Sequence, residues 1–219
     1  METLAAVCLS GLIVFSAAGL GRIARARGSG NDESLDERFI YDTAVGLGVL
    51  SLLLFAAAAL QLLHCKWIPA AVCGLGLLGL GIWLPGIVAG ASRVFKRERS
   101  KPQVLCGLLL LVLAVAAFVP AVAPPTMSDW DSLAYHLAVV KLWIKHGGFY
   151  YIDFASHSNF PFLLEMLYIP GVIIDQPGAA KLVHYWVGVL LVAAVALLAR
   201  RHISRGSAWP SALAFAGMP

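Results

Sequence analysis

Five apolar runs of about 20 residues, parted by short clusters of arginine and lysine, leave this chain one solvent to fold in. A helix rises about 1.5 Å per residue and a bilayer's hydrocarbon core is about 30 Å thick, so each run is long enough to cross it. The runs fall at about 4–20, 43–63, 68–90, 103–123 and 179–199, and a sixth begins near Trp209. Of 219 residues, 60% are hydrophobic and only 13% charged. A soluble domain carries about 25% charged residues, and a water-facing fold of this size could not hide so much apolar surface. The expected fold is all-α: a polytopic membrane helical bundle. Glycine and alanine recur inside the runs, as in "CGLGLLGLGIWLPG", where small residues let membrane helices approach closely.

The connections set an orientation. "GRIARARG", "SRVFKRERSK" and "RRHISRG" alternate with the poorly charged "HCKW" and with a long segment at 124–178. Basic loops stay cytoplasmic, so the long segment is expected outside, periplasmic if the membrane is a bacterial inner membrane. The first run follows "MET", which has no positive charge, and precedes its arginines, the order of an anchor with its N-terminus outside. "GSGNDESLDER" reads as a solvated cytoplasmic loop. The formal charge of +4 sits beside the spans and suits anionic lipid headgroups, not nucleic acid. Cys8, Cys65, Cys73 and Cys106 have no metal-like or disulfide-like spacing and read as packing residues. After Gly206 the last run supplies about 11–13 residues, or about 16–20 Å, short of a crossing. The expectation is a span interrupted by the end of the sequence, hence an N-terminal fragment of a longer protein.

The chemistry is concentrated in "PPTMSDWDSLAYHLAVVKLWIKHGG", Pro124 to Gly148. Pro124 and Pro125 end the fourth span, since proline cannot continue helical hydrogen bonding. Residues 131–146 then read as an external amphipathic helix stopped by Gly147 and Gly148, with an apolar stripe of Leu133, Leu137, Val140 and Ile144. Asp129 and Asp131 can cap that helix, or serve as a general base or hold a divalent cation. A shorter apolar helix at about 161–174 reads as re-entrant or interfacial. It contains Glu165, costly there unless it faces a polar cavity or a partner. His136 and His184 read as packing residues. Trp130, Trp143, Tyr150, Tyr151, Tyr168 and Trp186 fit an interfacial aromatic belt as well as a sugar platform.

The run from Pro124 to Gly148, followed by "SHSNFPFLLEMLY" and "GAAKLVHYWVGVLL", resembles the first external loop of C-type (GT-C fold) membrane glycosyltransferases. Within them it is most similar to the protein O-mannosyltransferase, aminoarabinose transferase and RgtA/B/C/D-like group. The resemblance covers about residues 100–200. It implies a core starting at residues 100–219, preceded by a three-span extension at 1–99, and transfer of a sugar from a polyprenyl-phosphate carrier to an acceptor hydroxyl outside the membrane. By position, Asp131 matches the family's catalytic acid, Tyr135 the tyrosine that follows it, and Phe160–Pro161 an aromatic-proline element. Many relatives carry Asp-Glu where this chain has Asp131–Ser132, which leaves Asp129 as the alternative base.

That chemistry needs a carboxylate to take the hydroxyl proton and cations to meet the phosphate that leaves. Lys141, Lys145, His146 and His157 are the candidates for the phosphate, and Tyr135 and Glu165 complete the substrate-binding set. A divalent cation, held by Asp129 and Asp131, is the one cofactor considered. The competing readings are a transporter or channel piece, in which Asp129, Asp131 and Glu165 bind ions or relay protons, and a non-catalytic membrane subunit. The carboxylates cluster at one membrane surface and no broken-helix repeat is visible, which weighs against transport.

Overall fold

The computed structural model describes residues 2–26, 33–96, 100–124, 129–159 and 162–218, and among these the chain is helical with no strand. Five helices are long and apolar enough to cross a membrane: α1 (Glu2–Ala24), α2 (Leu35–Ala59), α3 (Trp67–Lys96, apolar to Gly90), α4 (Lys101–Val122) and α7 (Gly178–His202). The protein is a multi-pass membrane protein. Between α4 and α7 lie a π-helical turn (Ser132–His136), α5 (Leu137–His146), a 3-10 turn (Ser156–Asn159), a second 3-10 turn (Glu165–Tyr168) and α6 (Ile169–Ile173). A last helix, α8 (Ala208–Ala216), packs on α4 and α7.

Helix starts follow caps more than hydropathy. α2 begins eight residues ahead of its apolar run because Ser34 and Glu37 form a reciprocal capping box, the Ser34 N–H donating to Glu37 Oε2 at 2.7 Å. α4 starts the same way, with the Ser100 N–H donating to Gln103 Oε1 at 3.2 Å and a proline in its first turn.

α1 is the strut on which the bundle is built. It packs along both α2 and α3 and touches α7. A Cβ on Gly21 or Gly46 would overlap the backbone of the facing helix, so α1 and α2 meet main chain to main chain. Hydroxyls and indoles lock the other contacts. Ser16 Oγ donates to the Val72 carbonyl at 2.6 Å, Trp83 Nε1 to the Ala18 carbonyl at 3.3 Å, and Trp186 Nε1 to Ser10 Oγ at 3.1 Å. Trp186 therefore serves packing between α1 and α7.

The two ends of the bundle differ in chemistry. At one, Arg25 pairs with Asp42 and Glu33, and Arg200 with Asp36 at 2.8 Å. At the other, the 60–66 connection meets the long polar segment: the Leu63 N–H donates to the Gly147 carbonyl and Gln61 Nε2 to that of Phe149, both at 2.8 Å. The alternation of basic and non-basic connections is thus an alternation of bundle ends. One apolar core joins residues of 1–99 (Leu9, Leu54, Val72) to residues of 100–219 (Val140, Leu167, Val183) at the polar-segment end.

Two local readings change. The helix after Trp130 is stopped by Gly147, in the left-handed region at φ 100°, but its first part is a π turn. Leu133 falls out of the stripe and is exposed, while Leu137, Val139, Val140 and Trp143 are buried against the bundle. α5 therefore caps the bundle end by its apolar face. The apolar stretch near 161–174 is no single helix either. The proline in α6's first turn cannot accept a helix running into it, so the segment divides into a tight 3-10 turn at Glu165–Tyr168 and the short α6. At this length it cannot cross the bilayer.

Candidate functional site

α4, α7 and α8 splay around a groove of about 1220 Å³. That exceeds the roughly 300–1,000 Å³ of pockets for compact small molecules. For most of its length the lining is alanine, leucine, valine and glycine. At the polar-segment end it changes abruptly to Asp129, Asp131, Ser132, His136, Lys181 and His184. From Lys181 to Ala196 the α7 wall runs 15 residues, about 22 Å at the helical rise. The arrangement is a long apolar trough with an ionisable mouth.

Lys181 holds the mouth together. Its Nζ donates to the Ala123 carbonyl at the end of α4 at 3.2 Å and to Asp129 Oδ2 at 3.1 Å. α4, the start of the polar segment and α7 are thereby tied at one ammonium. The available signal was a single lysine in the first turn of an otherwise apolar span, which membrane helices keep for a partner.

Asp131 is exposed and makes no side-chain capping bond, so helix capping does not account for it. The Tyr135 phenol lies close enough to feel its charge. Burial, then the Asp131 carboxylate, push the Tyr135 phenol above its ordinary range, so at neutral pH it is a proton-bearing donor. Tyr135 stacks on His157, with ring centroids 4.6 Å apart and planes 11° from parallel.

Glu165, costly in an apolar setting, has its partner in His136. Nδ1 of the ring is 2.7 Å from Oε1 of the carboxylate, whose side chain is 10% exposed against 32% for the histidine. Reading His136 as a packing residue missed this pair, because the two lie 29 residues apart. Tyr168 is buried beside them, and burial followed by the Glu165 charge pushes its phenol far above the ordinary range.

The structure brings Asp129, Asp131, Tyr135, His157 and Glu165 into one neighbourhood. It leaves Lys141 and Lys145 on the exposed face of α5, away from the groove wall, and stacks His146 on Tyr150. Trp130 and Tyr151 are exposed and Trp143 buried. Phe160 and Pro161 lie outside the described residues. Asp129 and Asp131 do not fit a divalent cation well: one is paired with an ammonium, and among the described residues no three His, Cys, Asp or Glu side chains converge as a ligand set. The mouth is better equipped for proton transfer and anion contact than for metal binding. Set against known proteins, the chain matches no family model, no curated protein and no solved structure.

Proposed function

We propose that this chain belongs to an integral membrane glycosyltransferase that moves a sugar from a polyprenyl-phosphate donor to an acceptor hydroxyl at the outer membrane face. The observation that carries the reading is the groove: an apolar trough about 22 Å long along α7, opening at two carboxylates, an ammonium and two imidazoles. A lipid-linked sugar has the same profile, with a long apolar chain, then phosphate, then a polar reacting centre. The trough takes the chain, and the phosphate lies at the mouth, where Lys181 supplies positive charge.

Asp131 is the base. Its exposed carboxylate, beside the Tyr135 phenol, can meet a hydroxyl arriving from water. It takes the hydroxyl proton as the oxygen attacks the anomeric carbon. The bond from that carbon to the phosphate oxygen breaks, and its electron pair stays on the phosphate. Asp129, engaged by Lys181, shapes the mouth and is second in line as base.

The test is sugar transfer by the purified chain in nanodiscs, using a panel of radiolabelled polyprenyl-phosphate sugars and envelope-derived acceptors, with release of polyprenyl phosphate followed separately. Asp131→Asn keeps the size of the side chain and removes the base. A positioned base contributes about 10²–10⁴-fold, so transfer should fall by that order while thermal stability holds. Full activity in both Asp131→Asn and Asp129→Asn would remove the assignment.

A further inference from the structure

His136 and Glu165 form a pair whose geometry goes beyond mutual burial. Nδ1 is committed to the carboxylate, so the ring edge bearing Nε2 is the edge left to face the groove that His136 lines. A pair serving packing alone would bury both partners, yet the histidine side chain is 32% exposed against 10% for the glutamate. The local backbone is adapted to the same end. In an α-helix, residues five apart point about 140° away from each other. The turn at Ser132–His136 is instead π-helical, closed by the Leu137 N–H on the Ser132 carbonyl, and both Asp131 and His136 line the groove. π turns carry poorer hydrogen bonding and recur at functional sites.

We propose that His136 is a second catalytic group, which gives a proton from Nε2 to the leaving phosphate oxygen, and that Glu165 is the residue that positions it. The proposal rests on the glycosyl-transfer reading. A carboxylate behind Nδ1 fixes the ring's orientation and offsets the charge of the doubly protonated ring. Proton and electron counts balance: Asp131 takes the proton of the acceptor hydroxyl, and the pair from the broken carbon–oxygen bond goes to the phosphate oxygen. That oxygen then receives the Nε2 proton, leaving a neutral ring still held by Glu165. Solvent returns one proton from Asp131 to the imidazole between turnovers. The titratable groups around the ring are Tyr135 at 4.3 Å and His184 at 6.5 Å between ring centroids, Glu165 at 2.7 Å, and Asp129, Asp131, Tyr168 and Lys181 on the same groove wall.

The experiment measures binding of two probes to the full chain in detergent, by quenching of the groove-lining Trp209 with Trp209→Phe as the control. Farnesyl phosphate stands for the departing lipid phosphate, and farnesol for its chain alone. His136→Asn keeps an N–H for Glu165 and removes Nε2, while His136→Gln is a second variant should the first misfold. Imidazoles titrate between about pH 5 and 8, so the ratio of wild-type to variant affinity is followed from pH 5.5 to 8.5, which cancels the probe's own ionisation. For farnesyl phosphate the ratio should be about tenfold or more at the acid end, the size of a hydrogen bond to a charged group, and approach one at the alkaline end. For farnesol it should stay at one throughout. Glu165→Gln should show a smaller loss with the same pH trend. A pH-independent ratio, or equal losses for both probes, would overturn the role of His136 and leave the pair structural. Failure of the wild type to bind either probe would instead sink the glycosyl-transfer reading, and this proposal with it.

Discussion

Gly46→Ala and Gly48→Ala are the same chemical change two residues apart on α2, and the structure assigns them opposite signs. In a helix interior, alanine is favoured over glycine by about 0.5–1 kcal/mol, whichever position is chosen. At Gly48 a new Cβ meets nothing within 4 Å, so that gain is all there is. At Gly46 the Cβ would land on the Ala17 carbonyl and against the Gly21 N–H, both main-chain groups of α1. Backbone cannot swing aside as a side-chain tip can, so α1 and α2 must part. A gap of about 0.5–1 Å forfeits a quarter to a half of each dispersion contact along the seam. Overpacking of this kind costs about 1–3 kcal/mol. The two variants should therefore differ by that amount, about 5- to 150-fold in the folding ratio. The assay is unfolding in mixed micelles titrated with SDS, read by tryptophan fluorescence and circular dichroism. If Gly46→Ala proves as stable as Gly48→Ala, α1 and α2 do not meet backbone to backbone.

Further outcomes follow from the polar ends. Arg25 is the close partner of Asp42, whose side chain is fully buried, so Arg25→Leu should cost about 3–5 kcal/mol in the same assay, whereas Arg205→Leu at an exposed position should cost almost nothing. Tyr168 ionises in the folded protein well above the unfolded value of about 10. Its contribution to stability is intact below that pH and is lost above it, because the unfolded chain releases its proton first. Phenolate absorbance during alkaline titration should show Tyr168→Phe removing a signal that appears only on unfolding, and a wild-type phenol titrating near pH 10 would contradict this. In a background without native cysteines, an impermeant thiol reagent on intact cells should label Asp153→Cys and spare Ser204→Cys, and the reverse pattern would invert the orientation.

What the sequence determined by itself is what depends on contiguous residues. An apolar run, its length and its flanking charges mark a span, and each of the five runs is met by a spanning helix, although α2 is displaced toward its capping box. The Gly147 stop is legible in the same way, since a glycine after a helical run supplies the left-handed residue that ends it, although His64 also packs where its Cβ would stand. The polar segment's place at one end of the bundle, opposite the arginines, follows from counting spans. Tertiary structure decided everything that depends on the path between spans. Asp129 finds Lys181 across 52 residues and Glu165 finds His136 across 29, and no periodicity encodes partners so far apart. The groove is lined by α4, α7 and α8 together while Lys181 ties the ends of α4 and α7, so it depends on three helices at once. The π turn shows the limit most plainly. An apolar stripe read at 3.6 residues per turn kept Leu133 and set His136 aside. Burying Val139, Val140 and Trp143 while holding His136 against Glu165 required one residue more in that turn, which exposed the leucine and turned the histidine toward the groove.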